Sequence, residues 1–194
     1  MNKWSILSTV IGLFILVTIL VFLLAGWSED ALRLPIRASA RIAVVLFCLA
    51  FGASSFRKFF PNSYTRWIMA NRRYIGVTFA VIHLIHLFGL FILQRTFHPV
   101  FDKAATISLI GGGMAYFFVV VMLLTSFSFF RKRLPGKSWF WFHTLGGYWI
   151  WFIFIRSYGR SVIRGESLLL PVLLLLVLVF VFRKFRYIEA FKRS

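Results

Sequence analysis

The chain predicts an all-α fold: a polytopic membrane protein built as a six-transmembrane-helix bundle, with both termini cytoplasmic. Three observations carry that reading. Of 194 residues, 60% are hydrophobic and 20% aromatic, against about 45–50% apolar in soluble domains, so a soluble core could not hide the excess. The apolar residues fall in near-uncharged runs of about 20, the length that crosses a ~30 Å hydrocarbon layer. The runs are continuous rather than alternating, which argues for helices and against a barrel.

The six spans follow in order, within a single transmembrane domain covering 1–194. The first is Trp4–Trp27. Its apolar run is longer than the 7–15-residue core of a signal peptide, and no small-residue cleavage site follows, so it reads as a retained helix. The second is Ala38–Phe56, with Arg41 near its start placed to snorkel toward an interface. The third is Tyr74–Leu93, "YIGVTFAVIHLIHLFGLFIL", which carries two histidines near its middle. The fourth is Ala104–Phe130; its glycine run Gly111, Gly112 and Gly113 reads as a place for close helix packing. The fifth is Trp139–Ile155, where Trp139 and Trp141 read as interfacial aromatics. The sixth is Ile163–Phe182, with Pro171 in its first half. The longest connection, Arg57–Arg73, leaves no room for a soluble domain.

The net charge of +18 does not imply nucleic acid. The cations sit in short connections between apolar runs, where the positive-inside rule places them, and anionic lipid headgroups of the bilayer are their expected counter-charge. Fifteen of the 23 lysines and arginines fall at the two termini and the second and fourth connections, with Glu189 as the lone acid there. That bias puts both termini in the cytoplasm, and places the protein in a cell membrane, with a bacterial inner membrane as the expected setting. The single cysteine, Cys48, excludes an intrachain disulfide and a thiolate metal cluster.

Glu29, Asp30, Asp102 and Glu189 lie outside the spans and Glu166 sits at the very start of the sixth, which argues against a pump or proton-coupled transporter built on buried carboxylates. Histidine is left as the chemistry-bearing residue type. His83 and His86 are three apart, on one face of the third span, and His143 lies on the fifth. Ionisable side chains inside a membrane are functional candidates. Two imidazoles from facing helices could clamp a haem iron, with Phe, Leu and Ile packed against the porphyrin. Counted from Arg73 and Lys137 at 1.5 Å per residue, His83 is offset from His143 by about 6 Å and His86 by about 10 Å, so spacing favours His83 as the partner of His143. The third-span histidine not used for iron could hold a propionate, a quinone or a proton. His98 could instead be an outer ligand for His86, although twelve residues on a straight helix separate the two by about 18 Å. Arg72 and Arg73 read as positive-inside anchors, or as a clamp for a flavin phosphate or haem propionates, since guanidinium binds such groups bidentately. Arg156, Arg160 and Arg164 stand on the outer side and could dock an acidic partner.

Two stretches resemble a known family. "NRRYIGVTFAVIHLIHLFGL" resembles the third span of the ferric reductase-like transmembrane domain family, and is most similar to the haem-binding membrane subunits of periplasmic methionine sulfoxide reductase systems. Arg72, Arg73, the Ile75-Gly76-Val77 element and His86 fall at that family's positions. "LLTSFSFFRKRLPGKSWFWFHTLGGYWIW" resembles its fourth-to-fifth span junction through Thr125, Ser126, Trp139, His143 and Tyr148. The likeness covers about 38–155, with the helices at 4–27 and 163–182 flanking it. It implies one haem b, with His83, His86 and His143 as the candidate iron ligands and His86, by family position, as the third-span ligand. It also implies a flavin (FMN or FAD) or quinone donor near Arg72, Arg73 and Trp139. The implied function is electron transfer from a cytoplasmic flavin or quinol to an outer acceptor, with a separate redox partner protein. The chain departs from the pattern at Arg156, where the family places a second fifth-span histidine. That departure favours the alternative: a haem-free accessory or scaffold subunit of a membrane complex, whose histidines hydrogen-bond between helices.

Overall fold

The computed structural model describes residues 4–98 and 103–191, and of 103–110, 187 and 189–191 it describes the backbone alone. Lys3, Asp102, Lys192 and Arg193 lie outside the described residues, as does the side chain of Glu189. Every described element is helical: α1 (Ser5–Ala25), α2 (Glu29–Phe59), α3 (Ser63–Phe97), α4 (Lys103–Leu124), the single turn α5 (Ser128–Arg131), α6 (Gly136–Ile163), and α7 (Leu170–Phe191), which a 3-10 turn at Ser167–Leu169 precedes. Four helical segments are long and apolar enough to cross a membrane: Ser5–Ala25, Glu29–Phe59, Ser63–Phe97 and Ser167–Arg186. The described part of α4, Gly111–Leu124, is apolar but shorter. α6 is diluted by its tryptophans, tyrosines, arginines and histidine.

The helices start where the sequence supplies caps. Ser28 accepts the amide of Ala31 at the head of α2, and Glu29 and Asp30 complement the helix dipole in its first turn. Asn62 and Thr65 form a reciprocal capping box at the head of α3. That box corrects the expected connection at Arg57–Arg73. α3 begins eleven residues before the expected span, and only Phe60–Asn62 separates it from α2. α2 and α3 are 31 and 35 residues long, about 46 and 52 Å, so both outreach the hydrocarbon layer. The fourth span is shorter than expected: α4 stops at Leu124, and Thr125–Phe127 turns the chain into α5. Pro171, placed by the sequence inside a sixth span, is instead the second residue of α7, where a missing amide costs no helical bond.

α2 is the central helix, and its buried face runs from Ala31 to Ser55. The main core joins Val44, Phe47 and Phe51 of α2 to Ile75, Phe79 and Ile82 of α3, to Phe118 and Val119 of α4, to Ile150 and Phe154 of α6, and to Leu176 and Val179 of α7. Close approach falls at glycines the sequence reading passed over. A Cβ on Gly146 would stand 2.9 Å from Met122 Sδ and 3.0 Å from Phe118 Cδ1, so α6 rests directly on α4 there. Gly147 does the same against Phe51, and Gly52 against Val179. Of the expected glycine run, Gly111 packs against Ile153, whereas Gly112 and Gly113 face open space. Hydrogen bonds across helices lock α6 in place. Trp149 Nε1 donates to Gly111 O at 3.3 Å, Trp151 Nε1 to Leu176 O at 3.0 Å, and the Tyr158 hydroxyl to Ala40 O at 3.3 Å.

Candidate functional site

The two third-span histidines lie together in the core. His83 is 8% exposed. Its ring stacks on Tyr116 of α4 at 4.8 Å and on Phe79 at 5.5 Å, and meets the edge of Phe154 of α6 at 5.5 Å. Its Nδ1 is buried with no hydrogen-bond partner. His86 turns toward α2, 5.6 Å from the His83 ring. Its Nδ1 lies 2.9 Å from Ile36 O. A carbonyl only accepts, so Nδ1 carries the proton and Nε2 the lone pair. Ser39 Oγ donates to the same carbonyl at 2.8 Å and stands 3.3 Å from His86 Nδ1.

His143 lies at a different level. Its Nε2 is 2.9 Å from Thr125 Oγ1. The threonine hydroxyl donates to Val121 O at 2.7 Å, so it accepts from the imidazole, and His143 Nε2 is a donor to α4. Along α6, His143 is eleven residues before Phe154, the residue that meets His83, a rise of about 16 Å. Along α4, Thr125 is nine residues past Tyr116, about 13 Å. Both helices give the same result: His83 and His143 do not come together. The space between α3 and α6 at the level of His83 is filled by Phe47, Phe79 and Phe154, whose rings pack at 5.4, 5.4 and 6.3 Å. Side chains therefore occupy the volume that a porphyrin clamped between these helices would need, and the bis-histidine haem expected between the third and fifth spans does not fit this packing. Among the described residues, no group of three or more His, Cys, Asp or Glu is placed to hold a metal ion. His98, the candidate outer ligand, is the exposed left-handed cap of α3, with φ 46°.

The residues expected to hold a flavin are partly convergent. Trp139, one turn before His143, packs against it with the rings tilted and their centroids 4.3 Å apart. Arg131 lies over the Trp139 ring at 5.0 Å. Arg72 and Arg131 are both near enough to His143 for their charges to bear on it. Arg72 also donates from Nε to Ala50 O at 2.9 Å, which fixes it against α2. Arg73 turns away, over Tyr74 at 5.8 Å. So Arg72, Trp139 and His143 gather at one end of the bundle, and His83 and His86 gather about 16 Å further along.

One buried cation escaped the sequence reading. Arg183 was counted among the cations beyond the last span, yet it is 5% exposed. Its Nη1 donates to Phe51 O at 2.9 Å and its Nε to the Tyr148 hydroxyl at 3.3 Å, and its guanidinium lies 4.2 Å over Phe51. It joins α7 to α2 and α6. Its position at i+4 from Val179 on the buried face of α7 was the available signal.

No protein-family model, no curated protein and no solved structure matches the chain.

Proposed function

We propose that the protein is a haem-free accessory or scaffold subunit of a membrane complex. Its polar side chains would fix helix positions rather than hold a redox centre. One observation carries this reading: the His143 imidazole is hydrogen-bonded to Thr125 about 16 Å from His83, with Phe47, Phe79 and Phe154 filling the space beside His83. In lipid, polar side chains that bond across helices hold helices in register where apolar contacts are no better than those to lipid tails. His86 to Ile36 O, His143 to Thr125, Trp149 to Gly111 O and Trp151 to Leu176 O are bonds of this kind. In this proposal the chain crosses the bilayer six times, through α1, α2, α3, α4, α6 and α7, with both termini cytoplasmic. The bias of basic residues toward that side supports the orientation. A bacterial inner membrane is the setting that goes with it.

The test is pyridine haemochrome quantification on protein purified from haem-replete cells. The expected result is no stoichiometric haem. One haem per chain, lost in His86→Ala or His143→Ala, would overturn the proposal.

A second reading is an electron-transfer subunit with haem b, a flavin or quinol donor and a separate redox partner. It draws on His86, whose Nδ1–H bond to Ile36 O leaves Nε2 as a lone-pair donor, the arrangement that orients a metal-ligating imidazole. Haem would supply one-electron chemistry, and the same haemochrome measurement decides between the two.

A further inference from the structure

We propose that the cavity between α1 and the α2–α3 pair holds one hydrocarbon chain of a bilayer phospholipid. This rests on the crossing of the bilayer by these three helices, and it stands whether or not the chain binds haem. Little side-chain burial holds α1 in place: Phe14 is its one buried residue. Phe14, Thr18 and Phe22 follow at intervals of four, so they share a face. Across from them lie Ile36 and Ser39 of α2 and Ile85 and Ile92 of α3, and the space between is a cavity of about 180 Å³. Gly26 takes the left-handed φ of 69°, and Trp27 packs back on Phe22 with ring centroids at 5.1 Å. That pair closes the cavity at the end nearest the α1–α2 connection. Phe88 lines its side and is 62% exposed, so the cavity opens between α1 and α3 toward the surrounding lipid.

The lining selects the ligand. Among the described residues, no charged side chain lines the cavity. Its two hydroxyls give their protons to their own helices: Thr18 donates to Phe14 O at 2.8 Å and Ser39 to Ile36 O at 2.8 Å. A polar headgroup placed here would lose its water without gaining donors or charges in return, which is costly. A water molecule needs about two to four polar partners to settle in a cavity, and these walls are nearly all hydrocarbon and aromatic ring. A hydrocarbon chain needs no partner. Apolar cavities of about 150 Å³ stay dry and take up a molecule the size of benzene, and walls without an occupant forfeit their dispersion contacts. A chain that enters from the side between α1 and α3 supplies those contacts. Its headgroup stays at the outer surface, and the chain joins α1 to the α2–α3 pair.

Photolabelling of the full chain in vesicles, by a phosphatidylcholine with a diazirine in one acyl chain, tests the assignment. Leu32 and Ile36 line the cavity and are 5% and 8% exposed, so lipid outside the protein does not reach them. In the wild type, adducts are expected on Leu32 or Ile36 as well as on the exposed Leu16 and Leu20 of α1. Thr18→Phe fills the cavity from α1 and Ile92→Phe fills it from α3. Each should abolish the adducts on Leu32 and Ile36 and leave those on Leu16 and Leu20 unchanged. Phosphatidylglycerol with the same labelled chain should give the same pattern, because the chain and not the headgroup is held. Wild-type adducts confined to exposed positions would overturn the site. So would equal labelling of Leu32 and Ile36 in the wild type and both filled variants, which would report a general opening of α1. Labelling of Leu32 and Ile36 by only one of the two lipids would assign the site to a headgroup and overturn the chain. Alkaline extraction of membranes reports separately whether each variant is inserted, and haemochrome content reports separately on the accessory-subunit reading.

Discussion

His143 Nε2 stands 2.9 Å from Thr125 Oγ1, and this one bond ties the first turns of α6 to the turn that closes α4. The threonine hydroxyl also reaches Val121 O at 2.7 Å, which leaves its lone pairs for an imidazole N–H. Thr125→Val keeps the shape and removes the acceptor. The variant should lose about 1 kcal/mol, within the range of interhelical bonds in membranes. His143→Phe should lose a similar amount, and the double variant little more than either alone. A double-mutant cycle by denaturation in mixed micelles measures this, and additive losses would show that the two residues are not coupled.

His86 and Ser39 both donate to Ile36 O. Removing either leaves the carbonyl still bonded. His86→Ala should therefore cost mainly the packing of the ring, and Ser39→Ala about 1 kcal/mol or less. The combined variant should cost about the sum of the two, because Ile36 O keeps its bond from the Ala40 amide within α2. Thermal denaturation of the three variants checks that additivity, and a large excess would show coupling through the shared carbonyl.

Gly146 and Gly112 should respond in opposite ways to alanine. At Gly146 the new methyl would meet Met122 and Phe118 at about 3 Å, and overpacking of this kind costs about 1–3 kcal/mol. At Gly112 it would meet nothing within 4 Å, and the better helix former should leave stability unchanged or raise it by up to about 1 kcal/mol. Comparing the two melting temperatures separates packing from propensity.

Arg183 is the anchor of α7. Its Nη1 and Nε hold a carbonyl on α2 and a hydroxyl on α6, and a lysine cannot reach both with one ammonium group. Arg183→Lys should destabilise the fold, and Arg183→Ala more so, at about 2 kcal/mol or above. Limited proteolysis within 164–169, the connection ahead of α7, should accelerate in the same order.

Phe154 fills the space beside His83. Phe154→Ala should cost about 3–5 kcal/mol and open an apolar chamber in the core. Xenon uptake, followed by the chemical shift of dissolved gas, would reveal it, and unchanged uptake would mean that neighbouring rings collapse into the gap.

Hydropathy made the helices legible, because lipid-facing runs must be apolar along their whole length. It placed their ends less well. "NSYTRWIMANRR" is polar and reads as a connection, but Asn62 and Thr65 make it a capped helix. Polarity there reports exposure rather than the absence of structure. That same stretch explains the histidine levels. Depth was counted from Arg73 on one helix and Lys137 on the other, as if both marked the same plane. In the fold His83 meets Phe154, eleven residues past His143 on α6, so the two histidines are about 16 Å apart in level rather than 6 Å. The buried place of Arg183 was hidden for a related reason: one cation just past an apolar run looks like any boundary charge, and only the helix packed behind it shows otherwise. The contact of Trp139 with His143 follows from their i, i+4 spacing on one helix, which the sequence shows.

The join between α2 and α3 has a bearing on biogenesis. With only three residues between them, and a capping box at the start of α3, α2 and α3 have little slack to enter a bilayer separately. A membrane would receive them as one helical hairpin, a ready platform for the helices that follow.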